Sequence, residues 1–92
     1  MARFAALSQE ANLVPIVEPE VLMDGDHTIE RCYEASEATF KRVFEELNDQ
    51  RVSLEGMVLK PNMILSGNNC PTQAGIQEVA EQTVRCLKAC VP

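Results

Sequence analysis

Two short apolar runs, each set between amphipathic segments of helical period, constrain this chain more than any other feature. Leu13-Val14-Pro15-Ile16-Val17-Glu18 and Gly56-Met57-Val58-Leu59-Lys60 are continuous apolar stretches of the kind that form strands covered on both faces. Pro15 lacks the N–H that a central ladder needs, so it is tolerated only near the start of its strand. Between the runs, Ile29, Cys32, Tyr33, Ser36, Phe40, Val43, Phe44 and Leu47 recur at steps of three and four. That spacing predicts a long amphipathic helix over 27–48, with Asp26 as its N-cap and Asn48-Asp49-Gln50 at its end. Glu30, Arg31, Glu34, Glu37, Lys41, Arg42, Glu45 and Glu46 form its solvated face, with Glu37 and Lys41 as a favourable i,i+4 pair. A first helix is expected over 2–11, with Phe4, Leu7 and Ala11 on one face and Asn12 as its stop. A last one is expected over 75–90, carried by Ile76, Val79, Ala80, Thr83, Leu87 and Cys90 after a polar loop over 65–72. The order is α-β-α-β-α, which implies an α/β fold with a parallel sheet.

Length turns that pattern into a statement about architecture. Both strands are of a type that needs neighbours on each side, and 92 residues supply only two of them. A (β/α)₈ barrel of about 250 residues averages about 31 per unit, so the chain amounts to about three units. The expectation is a partial (β/α)₈ TIM barrel: residues 1–92 as a fragment of one barrel rather than a complete domain.

Charge and composition remove several functional classes. The net charge is −6, with 8 Lys plus Arg against 14 Asp plus Glu and no basic run, which disfavours nucleic acid and anionic membrane surfaces as partners. Four aromatics and no Trp leave no platform for stacking bases. No apolar run approaches a membrane span, and the interrupted stretch from Met1 to Glu10 does not read as a signal peptide. Cys32, Cys70, Cys86 and Cys90 are then expected to be reduced, packed thiols rather than disulfides or a zinc site. His27 reads as a helix-start or loop residue.

Chemistry is expected at the carboxyl ends of the strands, where the active sites of α/β barrels lie. Glu18 and Glu20 are two apart there, and period-2 alternation puts them on one side if the strand geometry persists past Pro19. A solvated loop pair is the alternative. Lys60 follows three apolar residues and precedes Pro61. Burial at such a position would disfavour the ammonium and lower its pKa, and a neutral amine attacks carbonyls, so Lys60 is a Schiff-base candidate. A lysine snorkelling to the barrel mouth is the alternative. A right-handed β-α-β crossover makes the strands parallel and brings both carboxyl ends to the same face. Neighbouring strands lie about 4.8 Å apart, so Glu18 and Lys60 would converge.

Leu13-Val14-Pro15-Ile16-Val17-Glu18-Pro19-Glu20-Val21, Asp24-Gly25-Asp26-His27, Leu54-Glu55-Gly56 and Leu59-Lys60-Pro61-Asn62-Met63, in that order and spacing, resemble class I fructose-bisphosphate aldolase. The resemblance runs over essentially the whole chain but corresponds to a central segment of that enzyme. It implies the fifth and sixth strands of a (β/α)₈ barrel and a cytoplasmic lyase of glycolysis and gluconeogenesis. Such an enzyme cleaves fructose 1,6-bisphosphate to dihydroxyacetone phosphate and glyceraldehyde 3-phosphate. It further implies a lysine imine without metal or cofactor, a sugar phosphate as the small-molecule partner, and a homotetrameric parent. By position, Lys60 matches the family's Schiff-base lysine, Glu18 its acid/base glutamate and Glu20 a supporting glutamate. The family's catalytic aspartate on an early strand, the lysine on the preceding strand and the phosphate-binding loops have no counterpart in residues 1–92. The 92 residues alone are therefore expected to be inactive: without that lysine and the rest of the barrel, Lys60 would be wet beside Glu18 and Glu20, whose charges raise its pKa and suppress the amine. A non-enzymatic remnant that only packs against other chains is the alternative function. Another imine-forming barrel aldolase fits the first motif less well.

Overall fold

The computed structural model describes all 92 residues. It contains α1 (Ala2–Glu10), β1 (Ile16–Val17), α2 (Ile29–Asp49), a 3₁₀ turn (Leu54–Gly56), β2 (Val58–Leu59) and α3 (Ile76–Cys90). β1 and β2 are parallel, with Ile16 opposite Val58 and Val17 opposite Leu59. The predicted α-β-α-β-α order is therefore present, and its strands are neighbours.

The ladders are shorter than the apolar runs suggest. Pro15 offers only its carbonyl, which accepts from Val58 N at 2.9 Å, and the last ladder bond is Lys60 N to Val17 O at 2.8 Å. Beyond it, the next donor toward β2 would be position 19, and Pro19 has no N–H to give, so regular pairing stops there. Gly56, expected within the second strand, lies in the 3₁₀ turn instead.

α2 is the spine. Ile29, Cys32 and Phe40 pack with Ile64, Cys86 and Cys90, which joins α2 to α3 and to the segment after β2. Leu47, near the end of α2, packs with Ala2, Ala5, Val17 and Val52, which joins it to α1 and β1. Thr28 caps α2, its Oγ1 accepting from Arg31 N at 3.3 Å, and Asp26 lies two residues before the cap. The expected Asp26 cap is thus corrected: the helix starts at Ile29, and a hydroxyl immediately before the first turn fills the role. The far end agrees with expectation, since the helix closes at Asp49 and Arg51 turns the chain with φ of 58°. Lys41 and Glu37 form the anticipated surface pair at 2.6 Å.

Other assignments of faces change. α1 buries Ala2 and Ala5, whereas Phe4 and Leu7 are mostly exposed, so close approach to α2 selects the alanine face over the bulkier one. Ile76 is 92% exposed at the start of α3, where the buried stripe passes through Cys86 and Cys90. All four cysteines are buried free thiols, as expected, and burial pushes Cys86 up to about 12. His27 lies in the loop before α2, alongside Gly25 and Gly67.

The molecule is an elongated slab, 46 × 22 × 18 Å, with a radius of gyration of 14.5 Å. A compact chain of this length would have about 12 Å. Helices cover one face of the strand pair, where Val17 is fully buried, while Ile16 and Val58 on the opposite face are 58% and 51% exposed. The strands are covered on one side rather than both.

Candidate active site

Extending the ladder by one residue puts Glu18 opposite Lys60. Lys60 Nζ donates to Glu18 Oε1 at 2.7 Å. The two share the strand face that carries Ile16 and Val58, away from the helices, because side chains alternate along a strand. Glu20 returns to the same side: Pro19 is buried between exposed Glu18 and exposed Glu20, and Glu20 N donates to Glu18 O at 3.0 Å. All three sequence-derived residues thus meet at the carboxyl end of the sheet.

The electrostatics of Lys60 are those of a solvated lysine beside carboxylates. Its side chain is 63% exposed and that of Glu18 44%. The hydrogen bond and the negative charge of Glu18 raise the Lys60 pKa above its ordinary value, outweighing desolvation. The same contact lowers Glu18 below the ordinary carboxylate range, and Glu20 adds a smaller push on each. This is the raised pKa expected for the 92 residues alone; the depression expected of a buried lysine needs a dry site that these residues do not form. The ammonium is held by a carboxylate in an open setting, where desolvation opposes it less strongly than Glu18 favours it. None of the five principal cavities is lined by Glu18, Glu20 or Lys60.

Side chains not singled out from sequence hold this strand end in place. From Lys60 onward the extended chain buries every second residue: Asn62, Ile64 and Ser66. Asn62 Oδ1 accepts from Val21 N at 3.0 Å, and its Nδ2 donates to Ser36 Oγ and to Met63 O, both at 3.0 Å. Ile64 N donates to Thr83 Oγ1 at 2.9 Å, fastening the same segment to α3. On the other side of β2, the Gln9 amide grips Ser53 through both backbone groups, Nε2 to O at 2.8 Å and N to Oε1 at 2.9 Å. The sequence carried two visible signals for this network: Ser36 and Thr83 are hydroxyls within otherwise apolar stripes, and a hydroxyl packed there requires a partner.

Two parallel strands backed by helices, with a lysine and a glutamate meeting at their carboxyl ends, are consistent with a piece of a (β/α) barrel. A family model described as "Glycolytic: Fructose-bisphosphate aldolase class-I" matches residues 1–92. The chain is 59% identical over all 92 residues to a probable fructose-bisphosphate aldolase class 1 of Xanthomonas campestris, of which it covers 28%. It is 50% identical to fructose-bisphosphate aldolase of Dictyostelium discoideum, of which it covers 26%. A solved ternary complex of Plasmodium falciparum fructose-bisphosphate aldolase with TRAP and a small-molecule inhibitor superposes with a TM-score of 0.96. That match has 45% identity and covers 99% of this chain and 26% of that one. The chain belongs to the class I fructose-bisphosphate aldolase family and spans little more than a quarter of the length of these relatives.

Proposed function

We propose that residues 1–92 are the central portion of a single aldolase barrel that cleaves fructose 1,6-bisphosphate through a Schiff base on Lys60. The observation that carries this reading is the 2.7 Å Lys60–Glu18 contact at the carboxyl end of two parallel strands, in a chain of this family. In the proposed reaction, the neutral Lys60 amine adds to the C2 ketone of the substrate. Glu18 delivers the proton with which the carbinolamine hydroxyl leaves as water, giving an iminium. The iminium accepts the electron pair of the breaking C3–C4 bond while the C4 hydroxyl loses its proton to a base, releasing glyceraldehyde 3-phosphate. The remaining enamine takes a proton at C3, and water hydrolyses the imine to dihydroxyacetone phosphate and free Lys60. Glu20 supports the charge balance beside Glu18.

The pathway role proposed is glycolysis and gluconeogenesis in the cytoplasm, by a homotetrameric enzyme using a sugar phosphate and no metal. No helix here is long and apolar enough to cross a membrane. For the 92 residues by themselves we propose no catalysis, because the solvated Glu18 contact keeps Lys60 protonated. Borohydride reduction of the full-length protein with dihydroxyacetone phosphate tests the reading. Mass spectrometry should find the adduct on Lys60, and EDTA should leave turnover intact. An adduct on another lysine, or loss of activity restored by zinc, refutes it.

A further inference from the structure

We propose that Asn62 is a positioning residue that fixes Lys60 relative to Glu18 by replacing the backbone pairing that Pro19 abolishes. The inference rests on the aldolase reading of Lys60 and Glu18 and adds a residue to it. Backbone pairing between the strands ends at Lys60 N to Val17 O, 2.8 Å. The next N–H of the ladder would come from position 19, facing the carbonyl of Lys60, and Pro19 has none to give. Both site residues would otherwise sit at a frayed end. Asn62 closes that end with its side chain. Its Oδ1 takes the N–H of Val21, three residues past Glu18, while the residue itself lies two past Lys60. The pair is thereby bracketed between a ladder bond on one side and an amide bond on the other.

The amide is itself fixed. Nδ2 donates to Ser36 Oγ and Met63 O, which sets which end of the amide faces Val21 and ties the bracket to α2. Ser36 is fully buried and Asn62 only 9% exposed, so water does not readily substitute for either partner. Aspartate would keep an acceptor for Val21 but lose both donated bonds and add a charge. Alanine would lose the whole stitch. Only an amide of this length supplies one acceptor and two donors in this arrangement.

The test uses the full-length protein with Asn62→Ala and, because that variant removes buried bonds, also Ser36→Ala, which retains Asn62 and deletes only its anchor on α2. Imine formation with dihydroxyacetone phosphate is followed by borohydride trapping as a function of pH, alongside amide hydrogen exchange at Val21. Misplacing a reacting group by about 1 Å costs on the order of 10²-fold. Asn62→Ala should therefore slow imine formation by about 10–100-fold in the folded protein and shift the pH midpoint of trapping. Ser36→Ala should do the same to a smaller extent, and both should lose Val21 protection. Wild-type pH midpoints in both variants, with rates falling only as the folded fraction falls, overturn the proposal. If the wild type traps no adduct on Lys60, the aldolase reading fails instead, and Val21 exchange still reports whether the stitch exists.

Discussion

Lys60 and Glu18 face each other one residue beyond the last paired positions, Val17 and Leu59, their side chains joined at 2.7 Å where Lys60 N makes the final ladder bond. A lysine and a glutamate 42 residues apart thus become neighbours through strand register alone. In this open setting the contact favours the charged pair. Imine chemistry needs the opposite state of the lysine, so the rest of a barrel mouth would have to remove water and supply opposing positive charge.

Glu18 and Glu20 should separate cleanly in the full-length protein. Glu18→Gln removes the proposed proton donor, and loss of general acid/base catalysis costs about 10²–10⁴-fold. Glu20→Gln, which touches the pair only as a minor influence, should lower kcat by less than about 10-fold. Steady-state kinetics on both variants decide it. Equal, mild losses would make the carboxylates structural.

The pH dependence of the isolated 92-residue chain has a definite sign. Lys60 is raised in the folded state, so its contribution to stability is complete below the unfolded value near 10.5 and disappears as pH rises through the folded value. Glu18 is lowered, so its contribution is complete above the unfolded value near 4.5 and disappears as pH falls through the folded value. The pair therefore acts across the window between those limits, weakly, because both side chains are solvated and screened by salt. NMR titration of the Lys60 methylene protons should give a midpoint above that of a free lysine, and Glu18→Gln should bring it down. An unchanged midpoint in that variant would show that the contact does not form in solution.

The element order, the strand neighbours and the meeting of Glu18, Glu20 and Lys60 were legible because period, motif and crossover handedness are local or topological properties. The helix face of α1 was not: Phe4 and Leu7 outrank Ala5 in hydrophobicity, yet the helix approaches α2 through its alanines. The strand ends were not legible either, since Pro19 stops the ladder but says nothing of what replaces it. Asn62 does so with a partner 41 residues away, a contact that no sequence window contains. The protonation of Lys60, by contrast, was legible, since a strand end without the rest of a barrel leaves the amine in water beside Glu18 and Glu20.

Gly67 should be intolerant of alanine. A Cβ there would lie 2.5 Å from Gly25 O and 2.8 Å from Gly25 C, which is backbone and cannot swing aside. The two loops are already joined by Gly67 N to His27 O at 2.8 Å and Asn69 N to Gly25 O at 2.7 Å, so relief of the clash breaks bonds. Gly67→Ala should cost about 1–3 kcal/mol, as overpacking typically does. Gly75→Ala, whose Cβ meets nothing within 4 Å, serves as the control. Urea unfolding of both full-length variants tests this, and matched midpoints would contradict the close approach.

The 92-residue chain produced alone should self-associate and lack aldolase activity. Its accessible surface is 6135 Å², against about 5300 Å² expected for a compact protein of this mass. Ile16 and Val58 lie bare on the uncovered sheet face, and both outer strand edges are unpaired. Open edges with exposed apolar side chains recruit other chains, so light scattering should find oligomers at micromolar concentration. Inactivity follows from separate physics. Lys60 is wet and paired with a carboxylate, which keeps its amine protonated near pH 7. No principal cavity adjoins it to hold a sugar phosphate against the amine, so the gain from proximity is missing as well. Cleavage of fructose 1,6-bisphosphate by the purified chain should therefore match buffer. A monodisperse monomer with cooperative melting would refute the first expectation. Turnover abolished by Lys60→Ala would refute the second and make this segment a sufficient catalyst.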